Sequence, residues 1–456
     1  MPDLTFNLIA GVIIIAITGH LALVIASRWV SPMFLLTGAF FVFSPLSAAQ
    51  LFPFTVPAKY GRVYITLLLL FVGIFFFRAY RLGQTAFVFL TFVGLYVLAS
   101  LWSDFPLDAL KYKGLYGLSV VSGFLLARSV RDFRDLEIGL RALVMGAAVF
   151  GTLMLVEVVR NPSTVFHLQR LSFWGMNANR IGQTIAPMLI VTAYVALFDR
   201  AAAWRLAAYV IGGALGILLM YTGSRGGAGE ALLGCFIVAT PLIRRPFVLI
   251  VVAGLVGFAV VFTLATAATD APERLLNLSL ETREGIWDFA RSEFADAPVF
   301  GQGWIYNTGG GPGGGLSSRN MHSIYVQVAV ETGAFGVFFM GIAMLFVLFK
   351  GLSTYRYVRS FGIEPQTVYL ALGLVAAVLA HGVIEAGTVM GSTLNGMMLP
   401  FGIALFDRLP ELIRQASYEW YDTAPEDTLA TQPVQPDDAV ARADLGLDTN
   451  YGRAGV

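Results

Sequence analysis

Long apolar segments separated by short polar loops recur along most of the 456-residue chain. A helix needs about twenty apolar residues to cross a bilayer, and these segments reach or approach that length. They do not alternate between apolar and polar positions, as the strands of a membrane barrel do. The pattern therefore predicts an all-α, polytopic integral membrane protein with about 12–14 transmembrane helices.

The polar interruptions divide the predicted spans into groups. The longest, residues 269–322, predicts one large external loop. Residues 415–456 are polar and rich in Pro, Thr, Gln and acidic residues, which predicts a disordered tail. The first residues lack a cleavable signal peptide's features and predict a retained first span. The spans lie near 6–27, 30–50, 63–78, 84–102, 113–128, 138–159, 181–198, 203–221, 227–243, 246–268, 323–349, 367–387 and 393–408.

Composition supports this class, since 57% of the residues are hydrophobic and only 13% are charged. A soluble domain is nearer half apolar and a quarter charged. The net charge is +1 and no part of the chain forms a basic domain, so no nucleic-acid partner is expected. The single cysteine, Cys235, lies within an apolar run and is predicted to be a buried structural thiol.

Basic residues in the short loops predict the orientation. The larger and denser set is assigned to the cytoplasm together with the C-terminus: Arg28, Arg78, Arg81, Arg128, Arg131, Arg134, Arg141, Arg200, Arg205, Arg244, Arg245, Lys350, Arg356, Arg359, Arg408 and Arg414. The opposite set is assigned to the outer side: Lys59, Arg62, Lys111, Lys113, Arg160, Arg170, Arg180, Arg225, Arg274, Arg283, Arg291 and Arg319.

Arginines on the outer side cluster in segments 160–180, 223–226 and 269–322. Arginine near hydrocarbon costs about 2.5–3.5 kcal/mol on insertion scales and is usually kept for a function. In the third segment the arginines could pair with nearby acids or extend to the interface. The first two segments contain no acidic residue. They therefore suggest an anionic ligand such as a phosphate, whose oxygens match the guanidinium fork.

The first segment, "FHLQRLSFWGMNANRIGQTIAPML", places Asn177, Asn179 and Arg180 at the start of a span. Backbone N–H groups at this helix start could face an anion. An ordinary helix cap formed by the asparagines is the alternative.

The second segment, "TGSRGGAGE", lies between two spans and holds Ser224 and Arg225 at the predicted membrane surface. Its glycines are not a phosphate-binding loop, because no Gly-Lys-Ser/Thr follows. They allow close approach of neighbouring backbones. Glu230 lies about one turn into the next helix, where it could be a catalytic base or a buried partner of an arginine.

The third segment, "SLETREGIWDFARSEFADAPVFGQGW", predicts an amphipathic helix that ends before Pro298. Arg283 and Trp287 share a face with Ala290 and Phe294. Such a helix could simply lie at the interface. The glycine-rich residues 309–315 predict a hinge that lets the loop close over a substrate.

The fourth segment, "NMHSIYVQVAVETGAFG", places His322 where the external loop re-enters the membrane. A neutral imidazole there could act as a general base, or it could serve as a helix cap. Glu331 lies roughly 13 Å further along the same helix and cannot pair with His322 directly. His381 and Glu385, four residues apart in a later span, are predicted to form a structural pair.

In order, these segments resemble the O-antigen ligase and polymerase family (the Wzy-C superfamily). The matching motifs are "RLSFWGMNANR", "GSRGG", "TREGIWDFARSEFADAPVFGQGW" and "MHSIYVQVAVETGAFG". Two departures occur, "NAN" for the usual "NPN" and "HS" for "HN". The resemblance implies a metal-independent and cofactor-free glycosyltransferase of the bacterial inner membrane, with its active site facing the periplasm.

The implied donor is a glycan on undecaprenyl pyrophosphate, whose tail would lie among the apolar spans and membrane lipids. The acceptor is a sugar of the lipid A-core for a ligase, or a second lipid-linked glycan for a polymerase. The implied pyrophosphate-binding residues are Arg225, Arg283, Arg180, Arg170 and Arg319. His322 is the implied base, Glu230 is its rival, and Ser224, Asn179 and Trp287 support the site.

The predicted organisation is N-terminal transmembrane helices over 1–165, a catalytic membrane domain over 166–408 with the external loop 269–322, and the cytoplasmic tail 415–456. Ligase is favoured slightly over O-antigen or exopolysaccharide polymerase, and a protein-glycosylating relative stays open. Two other classes also stay open, a scaffold for assembly enzymes and an ion or small-solute transporter. A transporter would use the intramembrane residues Glu157, Glu331, His381 and Glu385, but no inverted repeat is evident.

Overall fold

The described part of the chain is almost entirely helical, which confirms the predicted all-α membrane architecture. The computed structural model describes residues 31–46, 55–76, 83–160, 166–167, 170–171, 176–242, 281–307, 317–318, 321–361, 366–385 and 393–423. Two antiparallel pairs of two-residue strands are the exceptions within these ranges. The chain divides into two compact units, Met1–Pro410 and Glu411–Val456.

A helix lies at every predicted span that falls within the described ranges. The helices are α1 (Pro32–Leu46), α2 (Thr55–Phe76), α3 (Gln84–Leu98), α4 (Pro106–Arg128), α5 (Phe133–Arg160), α6 (Ala178–Phe198), α7 (Ala202–Thr222), α8 (Arg225–Ala239), α9 (Glu281–Asp296), α10 (Ile324–Ser360), α11 (Gln366–Gly382) and α12 (Leu394–Thr423). The strands are β1 (Phe166–His167), β2 (Arg170–Leu171), β3 (Tyr306–Asn307) and β4 (Ser317–Ser318).

Some predictions fall partly or wholly outside these ranges. The spans near 6–27 and 246–268 and the hinge at 309–315 lie outside the described residues. The predicted disordered tail is corrected at its start, because α12 continues to Thr423. The rest of the tail is outside the description.

Five of the described helical stretches are long and apolar enough to cross a membrane: Gln84–Trp102, Phe133–Arg160, Ala178–Phe198, Ala202–Thr222 and Ile324–Ser360. Shorter apolar helices lie at Pro32–Ser44, Gly61–Phe75 and Gln366–Gly382. Many of their large apolar side chains are exposed on the protein, as expected where lipid is the neighbour.

Small residues bring the helices together, as is usual within membranes. α1 and α5 touch at Gly38 and Gly146, where a Cβ on Gly146 would lie 2.5 Å from the Gly38 carbonyl oxygen. α8 packs between α6 and α11, and a Cβ on Gly234 would meet Ile190 and Ala377. Cys235 is partly exposed on α8 and is not fully buried as predicted; Gly234 and Val238 are among the buried residues of that helix.

Helix α10 is interrupted at Gly333, whose φ of 64° and ψ of −166° favour glycine. The interruption receives residues 298–303, hereafter the docked segment. Four backbone hydrogen bonds join it to α10: Ala334 N to Pro298 O at 2.8 Å, Phe335 N to Val299 O at 3.1 Å, Gln302 N to Val330 O at 2.9 Å and Gly303 N to Glu331 O at 3.0 Å. The docked segment thus satisfies backbone groups that the interruption frees.

An ion pair and a hydrogen bond, each formed by an arginine, connect segments predicted to lie on the cytoplasmic side. Arg141 donates to both oxygens of Asp199, each at 2.7 Å, and Arg408 donates to Val130 O at 2.9 Å. Burial alone raises the pKa of Asp199, but the bonds from Arg141 and the Ala201 amide lower that pKa by more. The Asp199 carboxylate therefore stays ionised and paired at neutral pH.

The second unit is described only for the end of α12, which runs from Glu411 to Thr423 within it. Helices on both sides of the predicted boundary at 165/166 pack together inside the first unit, α5 against α6 and α1 against α6. The division between an N-terminal and a catalytic part therefore stays a prediction about function.

Candidate functional site

Two helices of the candidate site begin side by side. Asn177 caps α6, where its side chain accepts from Asn179 N at 2.9 Å. Ser224 caps α8 and accepts from Gly227 N at 3.3 Å. A Cβ on Gly182 would lie only 2.6 Å from Ser224 Oγ, so the first turns of α6 and α8 are in contact. The glycines of "TGSRGG" therefore allow the close approach that the sequence predicts.

Cationic side chains accompany these helix starts. Arg225 is the first residue of α8 and is partly buried. Arg180 is the third residue of α6 and is exposed, and the neighbouring Asn179 is partly buried. Helix N-termini carry partial positive charge and bind anions through their backbone amides. Two adjoining N-termini with two arginines form a strongly electropositive corner.

Electrostatic contacts extend this corner to other helices. The Tyr112 hydroxyl of α4 lies within electrostatic range of Arg180, Arg62 and Glu385. Arg62, on α2, was predicted only as an outer-side cation, and sequence reasoning assigned it no role. It lies within electrostatic range of Arg180 and adds positive charge to this region.

For the other arginines predicted to bind pyrophosphate, the structure describes at most the backbone. Arg283 belongs to α9 and Arg170 to β2, where its backbone pairs with His167. Their side chains and Arg319 lie outside the description. Their predicted role in pyrophosphate binding stays a prediction.

His322 lies directly before α10 in an unusual backbone conformation, with a φ of 52°. Its Nδ1 is 3.5 Å from the Glu385 carboxylate, and the imidazole is 33% exposed while the Glu385 side chain is only 10% exposed. This geometry suits a histidine that meets a ligand with one nitrogen and a carboxylate with the other. Sequence reasoning placed Glu385 elsewhere.

The predicted pairing of His381 with Glu385 is wrong. His381 Nδ1 instead bonds the Glu230 carboxylate, which also accepts from Asn395 Nδ2 at 3.0 Å. Glu385 lies beyond the end of α11 at Gly382, and its carboxylate contacts His322 instead of His381. Gly226 makes room for His381 on the other side, because a Cβ there would lie 2.2 Å from His381 Nε2.

These bonds connect the second and fourth segments. Glu385 N donates to His381 O at 3.1 Å, so the turn after α11 joins the carboxylate beside His322 to the histidine beside Gly226 and Arg225. Glu230 itself is 2% exposed. Its side chain is enclosed in this pair, and the predicted arginine partner is replaced by a histidine.

Helix α9 has the amphipathic character that its sequence predicts. Ala290 is buried and packs with Ile305, Met321 and Val330 in an apolar cluster. Asp288 and Arg291 are exposed and pair with each other at 2.7 Å.

On the inner face of α9, Trp287 Nε1 donates to Met321 O at 3.2 Å. Trp287 thus attaches α9 to the residue that precedes His322.

A buried ion pair connects α4 with α10. Lys113 Nζ of α4 is 3.0 Å from Glu331 Oε2 of α10, and both side chains are 0% exposed. Sequence reasoning noted each residue but did not pair them, because 113 and 331 are far apart along the chain. Among the described residues, no group of three or more His, Cys, Asp or Glu side chains is placed to hold a metal ion; metal independence stays a prediction.

Comparison with known proteins gives one match. Residues 207–341 match a family model described as O-antigen ligase. The matched range includes Ser224, Arg225, Glu230, Trp287 and His322, and it ends within α10 beyond the docked segment's contacts. The first motif, with Arg180, precedes it. No curated protein matches the chain in sequence.

Proposed function

Because residues 207–341 match a family model described as O-antigen ligase, we propose that the protein is an inner-membrane glycosyltransferase with its site on the periplasmic face. The donor is a glycan on undecaprenyl pyrophosphate. The acceptor is a sugar hydroxyl of the lipid A-core, which makes the protein an O-antigen ligase. A polymerase uses the same donor and takes a second lipid-linked glycan as acceptor.

The observation that carries the proposal is the shared location of base and cations. His322 Nδ1 is 3.5 Å from Glu385, Glu385 N donates to His381 O at 3.1 Å, and the His381 ring lies against Gly226, the residue after Arg225. A glycosyl transfer from a pyrophosphate carrier needs both kinds of group together. The base takes a proton while the leaving group acquires negative charge.

In the proposed reaction, the neutral imidazole of His322 donates Nδ1–H to Glu385 and accepts the acceptor hydroxyl proton at Nε2. The acceptor oxygen attacks C1 of the donor sugar as the bond from C1 to the pyrophosphate oxygen breaks. The electron pair leaves with the pyrophosphate, and C1 is inverted. The 3.5 Å contact is expected to tighten when substrate binds, as such contacts often do.

Arg225, Arg180 and the amides at the starts of α6 and α8 hold the pyrophosphate in this proposal. Arg283, Arg170 and Arg319 are assigned to the same anion from the resemblance. Fixed cations lower the barrier because charge on the leaving group grows in the transition state. Guanidinium groups suit the task because they bind phosphate oxygens through two parallel hydrogen bonds.

Glu230 is assigned a positioning role instead of a catalytic one. Its carboxylate is 2% exposed and is already bonded to His381 and Asn395. An acceptor hydroxyl would have to enter this buried contact between helices to reach it. We therefore propose His322 as the base, and the pair of Glu230 with His381 as the support of the α8 start.

The intramembrane acids argue for this class over a transporter. Within the described residues, Glu331 is paired with Lys113, Glu230 with His381, and Glu385 with His322. A relay of ions through the membrane needs acids that exchange partners, whereas these belong to fixed contacts between helices. Transport and scaffolding are retained as outcomes of the test below.

The test uses protein in nanodiscs with the native organism's undecaprenyl-pyrophosphate glycan, with or without lipid A-core, and with or without chelator. Mass shifts on each lipid are compared for wild type, Arg225→Ala, His322→Ala and Arg291→Ala. The last is a matched control, because Arg291 is an exposed arginine of α9 paired with Asp288.

Glycan on the core, lost in the first two variants, kept in the control and insensitive to chelator, is the expected result. Longer glycan on the carrier alone would make the protein a polymerase with the same site. No transfer by folded wild-type protein with its native donor and acceptor would contradict an enzymatic function and favour transport or scaffolding.

A further inference from the structure

The backbone at His322 is held in an uncommon conformation. Its φ of 52° lies in the left-handed region, which few residues other than glycine adopt. Such a conformation persists only where surrounding contacts determine it. The contacts on the preceding residue, Met321, supply this constraint.

Both backbone polar groups of Met321 are bonded by side chains from other positions. Met321 N donates to Gln327 Oε1 at 3.0 Å, and Met321 O accepts from Trp287 Nε1 at 3.2 Å. Met321 itself is 0% exposed. The chain entering His322 is therefore fixed on two sides, from within α10 and from α9.

Gln327 is itself oriented by the buried ion pair. Its Nε2 donates to Glu331 Oε1, one helical turn further along α10. The other carboxylate oxygen of Glu331 pairs with Lys113 at 3.0 Å. An amide side chain with its NH₂ committed to a carboxylate must present its oxygen elsewhere, and here that oxygen meets Met321 N.

Lys113 connects this chain of bonds to the docked segment. Its Nζ donates to Gly303 O at 3.2 Å and lies 4.2 Å from the centre of the Tyr96 ring. A buried ion pair contributes little net stability, because desolvation of the charges offsets their attraction, and its best-attested use is to fix one arrangement. In this molecule the arrangement joins α4, the docked segment and α10.

We propose that Gln327 is a positioning residue for His322, with the ion pair of Lys113 and Glu331 holding Gln327 in its working orientation. The bonds run from Lys113 through Glu331 and Gln327 to the amide that precedes the histidine. This inference rests on the proposed function for its catalytic consequence. Its structural part, the restraint on Met321, stands without it.

The first test variant is Gln327→Met, which keeps the length of the side chain and removes both hydrogen bonds. Amide exchange at Met321 and His322 is followed by mass spectrometry without substrate, and kcat and KM are measured for transfer. We expect faster exchange at Met321 and a fall in kcat of up to about 100-fold, since small displacements of a reacting group have effects of this size. The KM for donor should change little, because the pyrophosphate site is not altered.

A second variant protects the test against misfolding. The double exchange Gln327→Glu with Glu331→Gln keeps the net charge: the amide oxygen at 331 can still accept from Lys113 Nζ, the amide NH₂ at 331 can donate to the carboxylate at 327, and that carboxylate can still accept from Met321 N. It should retain slow exchange at Met321 and most of kcat. The matched control is Thr354→Val, which removes another buried hydrogen bond of α10, to Phe406 O at 2.8 Å, and should leave both quantities unchanged.

Unchanged exchange at Met321 in folded Gln327→Met, or a kcat equal to that of Thr354→Val, would overturn the proposal. The exchange measurement needs no substrate, so it stays decisive even if wild-type protein transfers no glycan. Absence of transfer with the expected exchange pattern would refute the proposed function and leave the restraint on Met321 established.

Discussion

At the scale of single residues, the site depends on which carboxylate meets which histidine. Glu385 contacts His322, and Glu230 contacts His381. The two pairs differ in exposure, since the His322 side chain is 33% exposed and the His381 side chain only 2% exposed. The exposed pair is suited to a substrate and the buried pair to holding helices together.

The variant Glu385→Gln should retain the fold and lose most of the activity. Its amide would no longer select the His322 tautomer with the proton on Nδ1, and a wrong tautomer in a histidine–carboxylate pair can cost about 10⁴-fold in rate. Transfer kinetics in nanodiscs would measure the loss, which should fall on kcat. Glu293→Gln in α9 is the matched control, and equal rates in both variants would contradict a role for Glu385.

The main effect of the variant Glu230→Ala should be a lower stability of the folded protein, and not a direct loss of catalysis. Removing one partner of a buried pair costs about 3–5 kcal/mol, because the other partner is left without compensation. The change would be measured as a shift in the unfolding midpoint, and the amount of folded protein would fall with it. A variant with wild-type stability and no transfer would instead identify Glu230 as the base.

At the scale of secondary structure, the contact between α6 and α8 brings two helix starts and their arginines together. This contact depends on glycine, because a Cβ on Gly227 would lie 2.5 Å from the Gly182 carbonyl carbon. Gly229, two residues later, has nothing within 4 Å of such a Cβ. Helix α8 therefore contains one glycine that the contact with α6 requires, Gly227, and one that it does not require, Gly229, which serves as the control for substitution by alanine.

The variant Gly227→Ala should separate α6 from α8 and weaken donor binding. Gly229→Ala should be tolerated, since alanine favours a helix over glycine by about 1 kcal/mol. Donor KM and thermal stability would be compared between the two. Equal behaviour of the two variants would show that close contact at Gly182 is not required.

The helices of the described part were predictable because each one follows from a contiguous apolar run in the sequence. The caps Asn177 and Ser224 were also readable from residue type at a helix start. The partners of the buried ionisable groups were not readable, since Glu230 and His381 are 151 residues apart. The spacing of His381 and Glu385 suggested a local pair, but the His381 ring bonds Glu230 and the Glu385 carboxylate contacts His322, and both of these partners are distant in sequence.

The docked segment shows the same limit. The sequence predicted that the amphipathic helix ends before Pro298, and it predicted no interruption at Gly333. That the docked segment fills the interruption of α10 depends on hydrogen bonds between residues about thirty positions apart, such as Gln302 N to Val330 O. Sequence periodicity does not contain such a pairing.

At the scale of the whole molecule, the distribution of basic residues predicts which face is outside. The chain has a single cysteine, so Cys235→Ser gives a background for labelling. In that background Ser292→Cys on α9 should react with an impermeant maleimide from the periplasm, and Ser360→Cys at the end of α10 only after permeabilisation. Both serines are exposed, and the reverse labelling pattern would place the site in the cytoplasm.

The central claim is that His322 performs the proton transfer beside a separate cationic site for the carrier. The most direct measurement is the release of undecaprenyl pyrophosphate per glycan transferred, together with donor binding, for wild type and His322→Gln in nanodiscs. Wild type should release one carrier per transfer. His322→Gln should bind donor as wild type does and release carrier at least about 100-fold more slowly, as expected for loss of a general base. Release and transfer at the wild-type rate in His322→Gln would contradict the account.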